Sequence, residues 1–186
     1  MSFTVSDAQQ LAGQLVGMMR PRWDHLRAVG RVTEELTSRL GLPERVATAA
    51  WLHDIGYGPE IAVTGFHPLD GARFLISQGV PGEVVRLVAW HTGAGYEASE
   101  RGLLGQLEEI AQPAPAELDA LTMIDLGTGP RGEAVLDVDR IAEILSRYGD
   151  GHPVHDAVTA SRDSLLASSA RAKRALWLPQ DWPVCG

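Results

Sequence analysis

An all-α fold is what the sequence predicts, on three observations. Apolar residues recur at helical spacing in one segment after another. Prolines and glycines bracket those segments as helix starts and stops. No pair of alternating strand patterns stands out, and Val135 to Val138 is the only short β-like stretch. Taken in order, Ser6 and Asp7 mark a helix start, followed by Leu11, Leu15 and Met18 on one face. Pro21 ends that segment and opens a long second helix striped by Leu26, Val29, Val32, Leu36 and Leu40 and stopped by Gly41. Pro43 suits the first turn of a third helix running to about Asp54, with Gly56 and Gly58 as its stop. Residues 57–66 read as a loop. Pro68 starts a helix ending near Gly79, and Pro81 one ending near Gly93. Leu103, Leu107 and Ile110 mark a short helix, and AQPAPAE is a breaker before a helix from Pro115 to about Leu126. GTGPRGE is a turn, Ile141, Ile144 and Leu145 mark the next helix, and Val154 to about Leu176 the last. The tail LPQDWPVCG reads as irregular, packing over the body through Trp177 and Trp182.

The 186 residues are expected to form a single domain over 1–186, with no repeat and no linker long enough to divide it. Apolar residues at 45% and charged residues at 22% are an ordinary globular composition, with enough core to dispense with staples. The formal charge of −8 leaves no basic footprint for duplex nucleic acid. A single cysteine, Cys185, excludes an internal disulfide and a thiolate metal cluster within one chain. No apolar run approaches the roughly 20 residues needed to span a bilayer. MSFTVSDAQQ lacks the basic and apolar regions of a signal peptide, so the expected compartment is the cytoplasm and no membrane partner is expected. A homo-oligomer is compatible with the sequence.

Several polar residues stand where an apolar stripe calls for a hydrophobic one. His25 is in register with Val29, Val32 and Leu36; His53 and Asp54 follow Val46 and Ala50; His91 continues Val84, Leu87 and Val88; Asp125 continues Leu118, Leu121 and Thr122. Each is expected to point inward, where an isolated charge is costly. Lys173 is the only lysine, and the arginines mostly fall on other faces, so a shared divalent cation is the economical partner. Imidazole and carboxylate ligands suit Mn, Fe, Co, Ni or Zn. Singly, each His is more often a hydrogen-bonded core residue, and Asp125 is equally a helix-end cap or turn former. The joint order is what carries weight. There is neither a G-x-x-x-x-G-K-[ST] nor a G-x-G-x-x-G phosphate loop.

That order, His25, then His53-Asp54 in WLHDIGYG, then Asp125 in TMIDLGTG, resembles the HD superfamily of metal-dependent phosphohydrolases over roughly residues 20–130. The C-terminal helix and tail, 154–186, lie beyond it. The resemblance implies a compact HD-type helical bundle with the site between helices, and His25, His53, Asp54 and Asp125 as ligands of one metal. HD proteins with two metals add two histidines between the His-Asp pair and the last Asp, which here implies His67 and His91, with Asp54 bridging. The interval from Asp54 to His67 is short, so the connecting segment must fold back tightly; the alternative for His67 is an N-cap-like residue without a metal. Asp70 and Arg73 follow His67 and can face the same cleft; Arg73, and Arg131 in the turn after Asp125, are candidate phosphate binders or ordinary surface arginines. His152 and His155 in HPVHDA have metal-like spacing but read as a loop entering the last helix. Glu34, Glu35, Glu108 and Glu109 read as solvated helix faces, and Trp51 and Trp90 as core.

The implied function is hydrolysis of a phosphate ester of a nucleotide or another small phosphorylated metabolite, by attack of hydroxide made available on one or two metals per chain, with His53 and Asp54 at the catalytic centre. Two rivals share the residues: an HD-fold diiron oxygenase with a similar six-residue ligand set, and a non-catalytic HD domain that senses a nucleotide or a partner protein.

Overall fold

The protein, described over residues 3–184 of a computed structural model, is all-α, with ten α-helices, one 3-10 turn and, among the described residues, no strand beyond an isolated bridge between Thr128 and Ala134. The helices are α1 (Val5–Val16), α2 (Arg22–Leu40), α3 (Glu44–Leu52), α4 (His67–Ser77), α5 (Gly82–Trp90), α6 (Ala94–Glu100), α7 (Leu104–Leu107), α8 (Pro115–Leu126), α9 (Asp137–Arg147) and α10 (Pro153–Ala175); the 3-10 turn is Ile55–Tyr57. Cys185 lies outside the described residues. Among the described residues no helix is long and apolar enough to cross a membrane.

Local chemistry explains most boundaries. Thr4 caps α1 in a capping box with Asp7, each satisfying an amide that the helix itself leaves free. Gly41, at φ 74°, ends α2 in the left-handed conformation that costs a residue without Cβ little. Prolines occupy the first turns of α4, α8 and α10, where a missing N–H leaves no bond unmade.

Helix α3 runs through the middle of the molecule. All its residues from Val46 to Leu52 are buried, and it packs against α1, α2, α5 and α8. A helix buried on every side can place side chains at its C-terminal end into the interior, and His53-Asp54 follows immediately. Helix α10 covers the opposite side, against α6, α8 and α9. Two ion pairs fix it there. Asp119 of α8 accepts from Ser168 and Arg171, and buried Lys173 donates to Asp137 at the start of α9 and to the Gln180 carbonyl. Helix α9 joins the body through a small separate apolar cluster of Leu126, Ile141 and Leu165.

Four sequence expectations need correction. Helix α6 was not anticipated, because AGYEASE buries only Ala94 and Ala98 and so shows no apolar stripe. Val135 to Val138 is not a strand: Leu136 is the extended cap of α9, whose first residue is Asp137. Trp177 does not pack over the body; at φ 57° the residue is 93% exposed, while Trp182 does pack against the core. Glu34 is not simply solvated, since it accepts bonds from Trp51 Nε1 at 2.6 Å and Gln9 at 2.8 Å.

Candidate metal centre

The inward-facing residues converge. His25, His53, Asp54, His91 and Asp125 are all buried, and His67 is nearly so, with a side chain 13% exposed. They come from five places in the chain. His25 lies in the first turns of α2; His53 and Asp54 link α3 to the 3-10 turn; His67 opens α4; His91 ends α5; Asp125 is in the last turn of α8.

Asp54 is the hinge of the arrangement. Its Oδ1 faces His67 Nε2 at 3.2 Å and His91 Nε2 at 4.0 Å, and its Oδ2 lies 3.7 Å from His53 Nε2. Asp125 Oδ1 sits 3.0 Å from His25 Nε2 and 3.9 Å from His53 Nε2. Two ligand groups therefore share one carboxylate: His25, His53 and Asp54 on one side, with Asp125 beside them, and Asp54, His67 and His91 on the other.

The ring nitrogens are oriented for lone-pair donation. His53 Nδ1 is 2.8 Å from the Ala50 carbonyl, His91 Nδ1 2.6 Å from the Val88 carbonyl and His25 Nδ1 3.1 Å from the Gly129 carbonyl. A carbonyl only accepts, so each Nδ1 carries the proton and each Nε2 presents its lone pair to the cluster. His53 Nε2 is fully enclosed and has no hydrogen-bond partner, which is expensive unless something accepts that lone pair. The Nε2 atoms of His67 and His91 are 3.1 Å apart, close to the span of two adjacent metal–nitrogen bonds of about 2.0–2.1 Å. This donor set fits a divalent cation.

The charges agree. Burial pushes Asp54 up, but Arg22 foremost, then His53 and His67, outweigh it and hold its carboxyl well below the usual range. Burial raises Asp125 too, but His25, whose Nε2 lies 3.0 Å away, and then His53 outweigh it and hold its carboxyl below the usual range. Burial lowers His53, His67 and His91. Ionised carboxylates among neutral imidazoles are the state a metal requires.

Several supporting residues escaped the sequence reading. Arg22, one turn before His25, donates to Asp54 Oδ2 at 2.6 Å and lies over the Tyr57 ring, 3.8 Å from its centre, so one arginine does reach the cluster. Tyr57 stacks on His67 at 4.1 Å. Thr92, at φ 34°, donates its hydroxyl to Asp125 Oδ2; a β-branched residue in that conformation is strained and is held only by its surroundings. The one available signal was for Arg22, which falls three positions before His25 and so shares its helix face.

The tight return from Asp54 to His67 has a visible mechanism. Asp70 is buried and does not face the cleft as expected; its carboxylate accepts the backbone N–H groups of Val63, Thr64 and Gly65 and the Thr64 hydroxyl, clamping the loop. Gly56 lets the 3-10 turn touch α4, since a Cβ there would lie 2.0 Å from the His67 carbonyl oxygen. A second glycine does similar work in the turn after α8. Gly132, at φ 86°, approaches the Asp24 carbonyl to within 2.9 Å of where its Cβ would be, bringing Gly129 against His25.

The two candidate phosphate arginines part company. Arg73 is exposed and donates to Gln106 at 2.9 Å, away from the cluster, which corrects the expectation for it. Arg131 lines a basin of about 510 Å³ that also touches Arg22, His25 and Tyr57. His152 caps α10 and stacks on Tyr148, and His155 lies 3.3 Å from Asp150; neither joins the cluster. A cavity of about 570 Å³ between Trp90, Leu118 and Arg171 is lined by none of the clustered histidines, and the donor chemistry rather than the volume locates the site.

No curated protein and no solved structure matches the chain. The model of the HD domain family matches residues 22–147, a span that holds all six clustered residues together with Arg22, Thr92 and α9. With two-thirds of its length inside that match and the His, His-Asp, Asp order closed into one cluster, the chain belongs to the HD domain family.

Proposed function

We propose that this protein is a metal-dependent phosphohydrolase acting on a phosphate ester of a nucleotide or another small phosphorylated metabolite. The observation that carries the reading is Asp54, whose two oxygens face two separate groups of imidazoles, one of them the unpartnered His53 Nε2. His25, His53, Asp54 and Asp125 would hold one divalent cation, and Asp54, His67 and His91 a second. Mn, Fe, Co, Ni and Zn all suit nitrogen and carboxylate donors. Such cations supply a water ionised near neutral pH and neutralise the charge that builds on phosphoryl oxygens.

The chain's own residues prepare the rest. Backbone carbonyls fix the tautomers of His25, His53 and His91; Thr92 orients Asp125, and Arg22 and His67 orient Asp54. The Arg22 guanidinium, half-enclosed beside Tyr57, adds permanent positive charge where a phosphoryl group would sit. Arg140 and Arg147 line the same cleft of about 110 Å³, and this concentration of guanidinium favours a phosphorylated substrate over the oxidation chemistry that a diiron set also allows.

The test is elemental analysis of the purified protein together with a turnover screen over phosphomonoesters, nucleotides and cyclic dinucleotides, with Mn, Ni and Co supplied. Up to two metals per chain and hydrolysis of at least one ester class are expected, with Asp54→Ala losing both. Unchanged metal content in that variant, or O2 consumption in place of ester hydrolysis, overturns the reading.

A further inference from the structure

The cleft over the clustered histidines is small, about 110 Å³, below the roughly 300–1,000 Å³ of pockets that enclose whole small molecules. It borders a basin of about 510 Å³, and Arg22, His25, Tyr57, Arg140 and Arg147 line both. A substrate larger than its reacting group extends beyond this cleft, and the basin is the adjoining space that the same five residues line.

The basin is built for anions. Five arginines line it, Arg20, Arg22, Arg131, Arg140 and Arg147, in a chain whose net charge is −8. Arg20 pairs with Asp24 and Arg22 with Asp54, and Glu133 and Glu143 also line the basin, but Arg131, Arg140 and Arg147 have one ion-paired carboxylate among the three. Arg140 and Arg147, three and four positions to either side of Glu143 on one face of α9, share that single carboxylate. Arg131 makes no side-chain hydrogen bond or ion pair; only its backbone N–H is engaged, by Glu133. Arg140 is the decisive residue. Its side chain is only 8% exposed, it faces both cavities, and it donates to Glu143 alone, leaving most of its five N–H donors for something else. A buried guanidinium with spare donors aimed into a cavity calls for an oxyanion, which a planar fork can bind by two bonds at once.

We infer that the basin binds the additional phosphates of a linear di- or triphosphate substrate, with Arg140, Arg147 and Arg131 holding the phosphates next to the one presented to the histidine–aspartate cluster. This rests on the phosphohydrolase reading for what happens at the cluster, but not for the binding itself. The shared chemistry is a phosphoanhydride chain, whether inorganic or carried by a nucleoside.

The test is calorimetric titration of metal-loaded protein with orthophosphate, tripolyphosphate and a nucleoside 5′-triphosphate, each with saturating magnesium so that the anion does not strip the resident metal. Tripolyphosphate or the nucleoside triphosphate is expected to bind at least about tenfold more tightly than orthophosphate, the factor that one or two bonds to a charged group supply. In Arg140→Gln that ratio falls to about threefold or less. Arg131→Gln, an exposed residue whose side chain supports nothing else in the fold, lowers the ratio as well and keeps the test decisive should Arg140→Gln fail to fold. Tighter binding of tripolyphosphate alone assigns an inorganic chain, and of the nucleotide a nucleoside-borne one; both support the basin. Equal affinity for all three anions, or a ratio untouched by Arg131→Gln in a folded protein, overturns it. Chain-length-dependent binding without hydrolysis would leave the basin standing and remove the hydrolase; hydrolysis of monoesters with equal affinities would do the reverse.

Discussion

Thr92 shows how much of this site depends on residues that would touch neither metal nor substrate. Its hydroxyl fixes the Asp125 carboxylate from a left-handed conformation that costs energy to hold. Thr92→Val keeps the shape and removes the donor, so Asp125 gains freedom to rotate away from His25 and His53. Loss of such an outer hydrogen bond typically weakens metal affinity by about 10–100-fold. We expect that loss in a competitive metal titration, with the fold unchanged by circular dichroism; wild-type affinity in this variant would mean that Asp125 is positioned by other means. Arg22 makes a second prediction at this scale. It is the principal group holding Asp54 ionised, so Arg22→Gln leaves a buried carboxylate short of its counter-charge. Breaking a buried pair in this way costs about 3–5 kcal/mol at most, and less here because the Arg22 side chain is 23% exposed. The thermal midpoint of the chelated protein should drop more than that of the metal-loaded protein, since a cation supplies the missing charge. Five of the clustered residues, His25, His53, Asp54, His91 and Asp125, were legible in the sequence because each broke an apolar stripe, whereas His67, before Pro68 at a helix start, was reached only through the family resemblance. Thr92 was not legible, because a threonine after a helix is ordinary in its local context; Arg22 shares the helix face of His25, but an arginine on an amphipathic helix is by itself an ordinary solvated residue.

Among the elements, the link from α3 through the 3-10 turn to α4 decides whether the two halves of the cluster meet. Gly56 has no room for a Cβ against the His67 carbonyl, and Asp70 clamps the intervening loop. Gly56→Ala must push the turn and α4 apart, for a strain cost of about 1–3 kcal/mol. The shift moves His67 away from Asp54 and His91 while leaving His25, His53 and Asp125 on α2, α3 and α8 in place. Metal stoichiometry is therefore expected to fall by about one equivalent where the wild type binds two, a partial loss quite unlike that of Asp54→Ala; full occupancy at both positions would show that the contact is dispensable. The sequence announced the need for this tight return but not its mechanism. Asp70 follows His67 in sequence and so is expected at the same cleft, yet α4 begins at His67 itself, and the first-turn carboxylate points back to the loop it organises. The other misreadings share a cause. Helix α6 is too short and too rich in alanine to carry a stripe, and Trp177 was placed by its hydrophobicity although nothing in its local sequence directs the ring inward.

For the whole molecule, the buried imidazoles couple folding, metal and protons. Burial lowers His53, His67 and His91 below their ordinary value of 6.5. In the unfolded chain they take up protons as the pH falls through about 6.5, whereas in the fold they stay neutral until a lower pH. The unfolded state then binds more protons, so stability is lost as pH falls through that window, by up to about 1.4 kcal/mol per pH unit for each histidine. Asp54 and Asp125 do not contribute there, because their folded values lie below 3.8 and the unfolded chain is already ionised above it. A metal stabilises the fold in proportion to the logarithm of its free concentration over its dissociation constant, and protons compete with it for the same nitrogens. The thermal midpoints of metal-loaded and chelated protein, followed from pH 8 downward, should therefore be widely separated at neutral pH, both decline below about 6.5, and converge near pH 5. Two curves that stay parallel down to pH 5 would mean that the cation is held by carboxylates alone. The convergence point then reports the proton affinity of the imidazole cluster in the folded state, the quantity that sets whether this HD domain carries its metal at the pH in which it works.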